Sequence, residues 1–250
     1  MQLTLGDVQQ AVSDYLGLGL TPTGDDLDKV NNIIYRGYRN FLSAVNPRTN
    51  KSHTWSWLRK EAELSFESGV WTYDLPTDFK RMYRKVIYSP NDRYPPIARV
   101  SVGQVMEYRM WQEAASYPIL CAVQAGDYTV DAAQRKQLIV APTPSQEYTV
   151  NYTYVMNPEF PTEESHYFVG DAQISEAILQ SCLAIAEQQE DERMGVQTNL
   201  YVQIVNRMVQ DDIPDAADTA GTIRDGHISP YSLSQWRGLT RTWGDVGIEF

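Results

Sequence analysis

Between Trp55 and Tyr154 the apolar residues alternate in short runs, whereas on both sides of that stretch they recur every third or fourth position. A period of two belongs to half-buried strands and a period near 3.6 to amphipathic helices. The chain therefore predicts an α+β fold in which N- and C-terminal helices pack as a helical bundle around an inserted β-rich middle. The expected division is residues 1–46 with 166–213 as the bundle, 47–165 as the β-rich insertion with one short helix, and 214–250 as an extended C-terminal arm.

At the N-terminal end, Leu5, Val8, Val12, Tyr15 and Leu16 place one apolar stripe on a short helix, which Gly17-Leu18-Gly19-Leu20-Thr21-Pro22 ends. Asp25 or Asp26 is expected to cap a longer helix that buries Leu27, Val30, Ile34, Tyr38, Phe41 and Val45 and closes at Asn46-Pro47. In the middle, Glu61 to Phe66 and Val70 to Leu75 alternate as strands on either side of Glu67-Ser68-Gly69, and Met82 to Tyr88 begins another. Ser101 opens a short helix with Val102, Val105, Met106 and Met110 along one side. Gln137 to Ala141 and Tyr148 to Tyr154 read as strands joined by a hairpin loop, Pro142-Thr143-Pro144-Ser145. Two more helices follow. The first is capped by Asp171 and marked by Ile174, Ala177, Ile178, Ser181, Cys182 and Ile185; the second carries Val196, Leu200, Ile204, Val205 and Met208 and stops before Pro214.

The stretch 214–250 has no sustained periodicity and holds Gly221, Gly226, Pro230, Gly238, Gly244 and Gly247 among scattered large apolar residues. Burying those side chains stabilises less than ordering so many backbone units costs. Either the globular body or a neighbouring chain must hold such an arm, and its exposed tryptophans, typical interface anchors, favour the neighbour. Tyr231, Trp236, Arg237, Arg241, Trp243 and Phe250 are the candidate assembly contacts.

The formal net charge is −11, unfavourable for a surface that holds nucleic acid through clustered Lys and Arg. The charge is unevenly placed: residues 48–113 carry 11 basic and 8 acidic side chains, and residues 166–213 carry 2 basic and 8 acidic. Such a distribution suits identical subunits packing head to side, and equally suits unrelated solvated faces. The basic run Lys80-Arg81-Met82-Tyr83-Arg84-Lys85 has an interleaved aromatic. Lys80, Arg81, Arg84 and Lys85 are candidates to contact an acidic protein surface, nucleic-acid phosphates or solvent alone.

No apolar run is long enough to cross a membrane as a helix, and the opening Met1-Gln2-Leu3-Thr4-Leu5-Gly6-Asp7 has no secretory pattern. Cys121 and Cys182, each within an apolar stretch, are expected to be buried free thiols in a reducing cytoplasm, with a bridge between them the alternative. The histidines, His53, His166 and His227, stand at no metal-ligand spacing from one another or from the cysteines. Phosphate-loop, nucleophile-elbow and zincin motifs are missing from the sequence. Of the acidic groups, Asp25-Asp26-Leu27-Asp28 opens a helix, where negative charge meets the positive end of the dipole. Glu190-Asp191-Glu192 falls between helices and Asp211-Asp212 at a helix end. These patterns give no catalytic residue, metal or cofactor, and an enzyme is not expected.

Four segments carry a resemblance. Trp55-Ser56-Trp57-Leu58-Arg59-Lys60 precedes an alternating strand, Tyr73-Asp74-Leu75-Pro76-Thr77-Asp78-Phe79-Lys80-Arg81-Met82 follows it, and later come Leu138-Ile139-Val140-Ala141-Pro142-Thr143-Pro144 and Tyr148 to Tyr154. Together they resemble the adaptor, or head-to-tail connector, proteins of tailed bacteriophages, a group that includes the tail tubular proteins of short-tailed phages. The resemblance spans roughly residues 1–213 and implies a structural virion protein of the neck. It implies about twelve copies in a ring that joins the portal protein to tail or nozzle proteins and lets DNA pass through its lumen without sequence-specific binding. It further implies assembly in the bacterial host cytoplasm, with no cofactor and no membrane. The competing readings are a tail terminator or tube-associated subunit, which would be mostly β, a carboxylate-dependent hydrolase, which needs a pocket with a raised carboxyl pKa, and a nucleic-acid-binding module.

Overall fold

The structure is a computed structural model, and it describes residues 1–46, 50–90, 92, 94–112, 114–128, 130, 133–191 and 194–212. It is a mixed α+β fold of five α-helices and ten strands among those residues. In chain order they are α1 (Leu5–Tyr15), α2 (Asp25–Leu42), β1 (Val45–Asn46), β2 (Lys51–Ser52), β3 (Arg59–Phe66), β4 (Thr72–Asp74), β5 (Phe79–Met82), β6 (Ile87–Tyr88), β7 (Ala98–Arg99), α3 (Val102–Trp111), β8 (Leu120–Ala125), β9 (Lys136–Ala141), β10 (Tyr148–Met156), α4 (Ala172–Asp191) and α5 (Val196–Asp212). Met1–Val205 form one compact unit; Asn206–Phe250 form a second, of which the residues to Asp212 are described.

The first strand-rich layer follows from alternation, as the burial of every second residue of β10 shows. In the first sheet β10 runs between β3 on one side and β5 and β6 on the other, all antiparallel. In the second the order is β4-β9-β8-β7, antiparallel except for the parallel pair β7–β8. Tyr148, Val150, Tyr152 and Tyr154 of β10 share a buried cluster with Phe66, Tyr73, Phe79, Cys121, Leu138 and Val140, so the inner faces of the sheets pack on one another. The alternate residues of the second sheet, Ala122, Ile139 and Ala141, turn the other way and are covered by Val105 of α3. Covered on both faces, β9 reads as the unbroken apolar run Leu138-Ile139-Val140-Ala141 rather than as an alternation.

Helices α1, α2 and α4 pack together. α1 starts with a capping box, Thr4 accepting from the Asp7 N–H while Asp7 accepts from the Thr4 N–H at 2.8 Å. The antiparallel course of α2 and α4 is fixed along their length: Lys29 pairs with Glu190 at 2.7 Å, the Ser181 hydroxyl donates to the Gly37 carbonyl at 2.8 Å, and the Asn40 side chain donates to Ser181 at 3.3 Å. At the C-terminal end of α2, Phe41 stacks on the buried Trp55 with ring centroids 5.0 Å apart, and Trp55 leads through a turn of 3₁₀ helix, Ser56–Leu58, into β3.

Several local expectations change. Gly24, not Asp25 or Asp26, is the N-cap of α2; its φ of 59° is a conformation glycine adopts without strain, which leaves both aspartates inside the first turn. Val45 lies beyond the end of α2, half exposed in the short β1–β2 pair. Pro142 to Ser145 is not a hairpin loop, because β9 and β10 belong to different sheets and each already has a strand on both edges. The segment is a crossover, tied down by the Ser116 N–H donating to the Thr143 carbonyl at 2.9 Å. The strand expected from Met82 to Tyr88 is divided into β5 and β6, and Val70 to Leu75 contracts to Thr72–Asp74. Met110, Val196 and Leu200 are exposed, so α3 and α5 bury narrower stripes than the sequence pattern implied. Asp171 does cap α4, its carboxylate accepting from the Ile174 N–H at 2.9 Å.

Candidate functional site: a basic cleft at the sheet edges

The irregular pairing of β5 creates the site. Tyr154 lies opposite Met82 and Val155 opposite Arg81, but Met156 lies opposite Phe79, so Lys80 is an extra residue in the strand. Such a bulge breaks the in-and-out alternation. Phe79 and Met82 remain buried, and the two residues between them, Lys80 and Arg81, both face solvent.

Lys80 and Arg81 line a cleft of about 600 Å³ whose other wall comes from the second sheet and the start of α3. That wall adds Arg99, at the end of β7, and Lys136, at the start of β9. The Arg99 guanidinium donates to the Met82 carbonyl at 3.1 Å, the Lys136 ammonium donates to the Lys80 carbonyl, and Arg81 donates to the Thr54 hydroxyl. None of the four cations meets a carboxylate among the described residues, and no carboxylate lines the cleft. Apolar surface from Met82, Tyr83, Val100 and Val123 lies beside them. The arrangement offers positive charge on an apolar floor, which suits an anionic surface or segment.

The sequence-derived cluster is thus only half of the site. Arg84 leaves the cleft and lies 5.9 Å from the Tyr83 ring centroid, whose closer cation is Arg59 at 4.3 Å; Lys85 is exposed outside it. Arg99 and Lys136 carried no local signal, since only the strand register brings them to Lys80. Arg109 lies 4.0 Å from the Trp71 ring centroid and donates to the Thr143 hydroxyl at 2.9 Å, away from the cleft lining. Tyr231, Trp236, Arg237, Arg241, Trp243 and Phe250 lie outside the described residues.

Ionisable groups elsewhere serve the fold. Backbone and hydroxyl hydrogen bonds from Thr4 hold the Asp7 carboxyl below its usual range. Burial pushes the Glu187 carboxyl up, yet the N–H groups of Thr198 and Gln197, the Thr198 hydroxyl and the Gly195 N–H together hold it below its usual range. Both shifts run opposite to the raised carboxyl that a carboxylate hydrolase requires. Among the described residues no group of three His, Cys, Asp or Glu could hold a metal ion, and no helix is long and apolar enough to cross a membrane.

The profile of the SU10 adaptor protein family matches residues 3–226, nearly the whole chain. The chain belongs to the SU10 adaptor protein family. The resemblance seen in the Trp-rich segment and the Tyr73 to Met82 turn is therefore to the right group, and the protein is a phage structural adaptor. The family match continues 13 residues past residue 213, from 214 to 226. No curated protein matches this adaptor. The basic cleft lies within the matched residues, as do the Trp55–Phe41 stack and all five helices.

Proposed function

We propose that this adaptor is the repeating subunit of a ring in the phage neck, seated between the portal protein and the tail or nozzle proteins, with genomic DNA passing through its lumen. The observation that carries this reading is the family match over residues 3–226. A closed ring of identical copies, about twelve, is a way for a structural adaptor to meet a round portal vertex with a repeated heterologous contact. The acidic bias of residues 166–213 supports passage of DNA without adhesion, since a negative wall repels phosphate. In the same reading residues 1–46 and 166–213 form the helical bundle, 47–165 the β-rich insertion, and 214–250 an arm that reaches a neighbouring chain through Tyr231, Trp236, Arg237, Arg241, Trp243 and Phe250. The subunit is made in the host cytoplasm and retained in the virion.

The test is the mass of the purified chain, alone and after mixing with portal rings of the same phage. The expected result is a monomer alone and a ring of about twelve on the portal. A chain that stays monomeric and ignores the portal would overturn the reading.

A further inference from the structure

The basic cleft has a counterpart at the far end of the helices. α2 is 18 residues long, about 27 Å at the usual rise. Its C-terminal end is fastened beside the sheets by the Phe41–Trp55 stack, and its N-terminal end lies a helix length away from that stack. The antiparallel α4 ends there as well, where Glu190 meets Lys29. Asp14 near the end of α1 and Asp25, Asp26 and Asp28 in the first turn of α2 are all exposed at this end. Of the acids in that group only Glu190 has a basic partner among the described residues. Among the described residues the subunit is therefore bipolar: four cations without carboxylates at the sheet edges, and aspartates without cations at the tip of the helices.

We propose that the acidic tip of α2 in one copy docks in the basic cleft of the next, making a head-to-side contact that repeats around the ring. This rests on the ring reading above and deepens it by naming the two surfaces. Opposite charges on two different patches of one chain form a heterologous contact, the kind that closes a ring when the rotation allows. The aspartates and the cleft's cations, unpaired among the described residues, supply partners to one another, while like ends repel, which disfavours tip-to-tip and cleft-to-cleft pairing. The other anionic occupant, duplex DNA, is weighed by the same experiment.

The test uses two charge-reversed full-length proteins, Lys80→Glu with Arg81→Glu, and Asp25→Lys with Asp26→Lys, each checked for native circular dichroism and then mixed with portal rings. Each alone is expected to give about tenfold less ring than the unaltered chain, or none. An equal mixture of the two is expected to restore the ring, because alternating copies then match at every contact. Full assembly by either variant alone, or a mixture of folded variants that stays unassembled, overturns the proposal. A Lys80→Glu, Arg81→Glu protein that assembles normally but loses salt-dependent binding of duplex DNA overturns it in favour of a phosphate site. If either reversed protein fails to fold, Lys80→Gln with Arg81→Gln and Asp25→Asn with Asp26→Asn replace the pairs; both should then lose ring in proportion to the charge removed, and unchanged assembly overturns the proposal. Failure of the unaltered chain to form a ring is seen before any substitution, and it removes the ring reading itself.

Discussion

Gly37 of α2 and Cys182 of α4 meet so closely that a methyl group on Gly37 would stand 2.7 Å from both the Cα and the Sγ of Cys182. The Cys182 backbone cannot yield as the tip of a long side chain would, so the helices must separate. Alanine gains roughly 1 kcal/mol of helix propensity over glycine, but overpacking of a close contact costs about 1–3 kcal/mol. Gly37→Ala is expected to lower stability by about 1 kcal/mol net, and any larger side chain by more. Urea unfolding followed by circular dichroism measures this; an unchanged or raised midpoint would mean that the helices part freely.

A second contact predicts a pH dependence. The Glu187 carboxylate accepts from the N–H groups of Gly195, Gln197 and Thr198 at 3.1, 3.0 and 2.8 Å and from the Thr198 hydroxyl at 2.9 Å, which joins α4 to the start of α5. Its folded pKa lies below the unfolded value. Its contribution to stability is therefore fully present above the ordinary glutamic acid range and is lost as pH falls through the depressed folded value. Glu187→Gln should be less stable than the unaltered protein near neutral pH, with the gap closing as the medium is acidified. Urea midpoints across that range decide it, and a gap independent of pH would assign the loss to packing instead of charge.

Much of this fold was legible in the sequence because burial on one face leaves a period. The stripe Val8, Val12 and that of Val30, Ile34, Tyr38 and Phe41 led directly to α1 and α2, and the alternation of Glu61 to Phe66 led to β3. What periodicity does not encode is which strand pairs with which. Leu138 to Ala141 and Tyr148 to Tyr154 are adjacent in sequence and both β, yet they lie in two sheets facing each other. The same blindness hid half of the basic cleft, since Arg99 and Lys136 reach Lys80 only through register. The bulge at Lys80 shows no mark in the sequence beyond two consecutive cations between Phe79 and Met82. Glu187 gave no signal either, because a buried carboxylate that caps the following helix looks like any other acid on α4.

The two thiols give a direct probe of these cores. Cys121 and Cys182 are free and buried, one between the sheets and one against α2. Burial pushes the Cys121 thiol up to about 12, and burial also raises that of Cys182. Both stay protonated and shielded at neutral pH, where thiolate is the reactive form. Native protein is expected to take up no iodoacetamide over hours and two equivalents in denaturant, counted by intact mass. In Gly37→Ala the parting of α2 from α4 should speed modification of Cys182 but not of Cys121. Equal acceleration at both sites would point to global unfolding rather than to that helix contact.

Removal of residues 221–250 separates folding from assembly. Met1–Val205 form a compact unit, and all of the sheet pairing and the α1, α2 and α4 packing lie within it. The large apolar residues of the removed segment are separated by Gly226, Pro230, Gly238, Gly244 and Gly247, so their burial repays little of the ordering of the chain that carries them. If the arm serves a neighbour, the shortened protein keeps its far-ultraviolet circular dichroism and a urea midpoint within about 0.5 kcal/mol of the full chain. Its capacity to assemble on the portal is then sharply reduced, because Tyr231, Trp236, Arg237, Arg241, Trp243 and Phe250 leave together. The charge contact between the α2 tip and the basic cleft is untouched by this deletion, so weak ring formation at low salt that fades as salt rises would separate the contributions of arm and cleft. A shortened chain that is unfolded by circular dichroism would instead make the arm part of the subunit's own core.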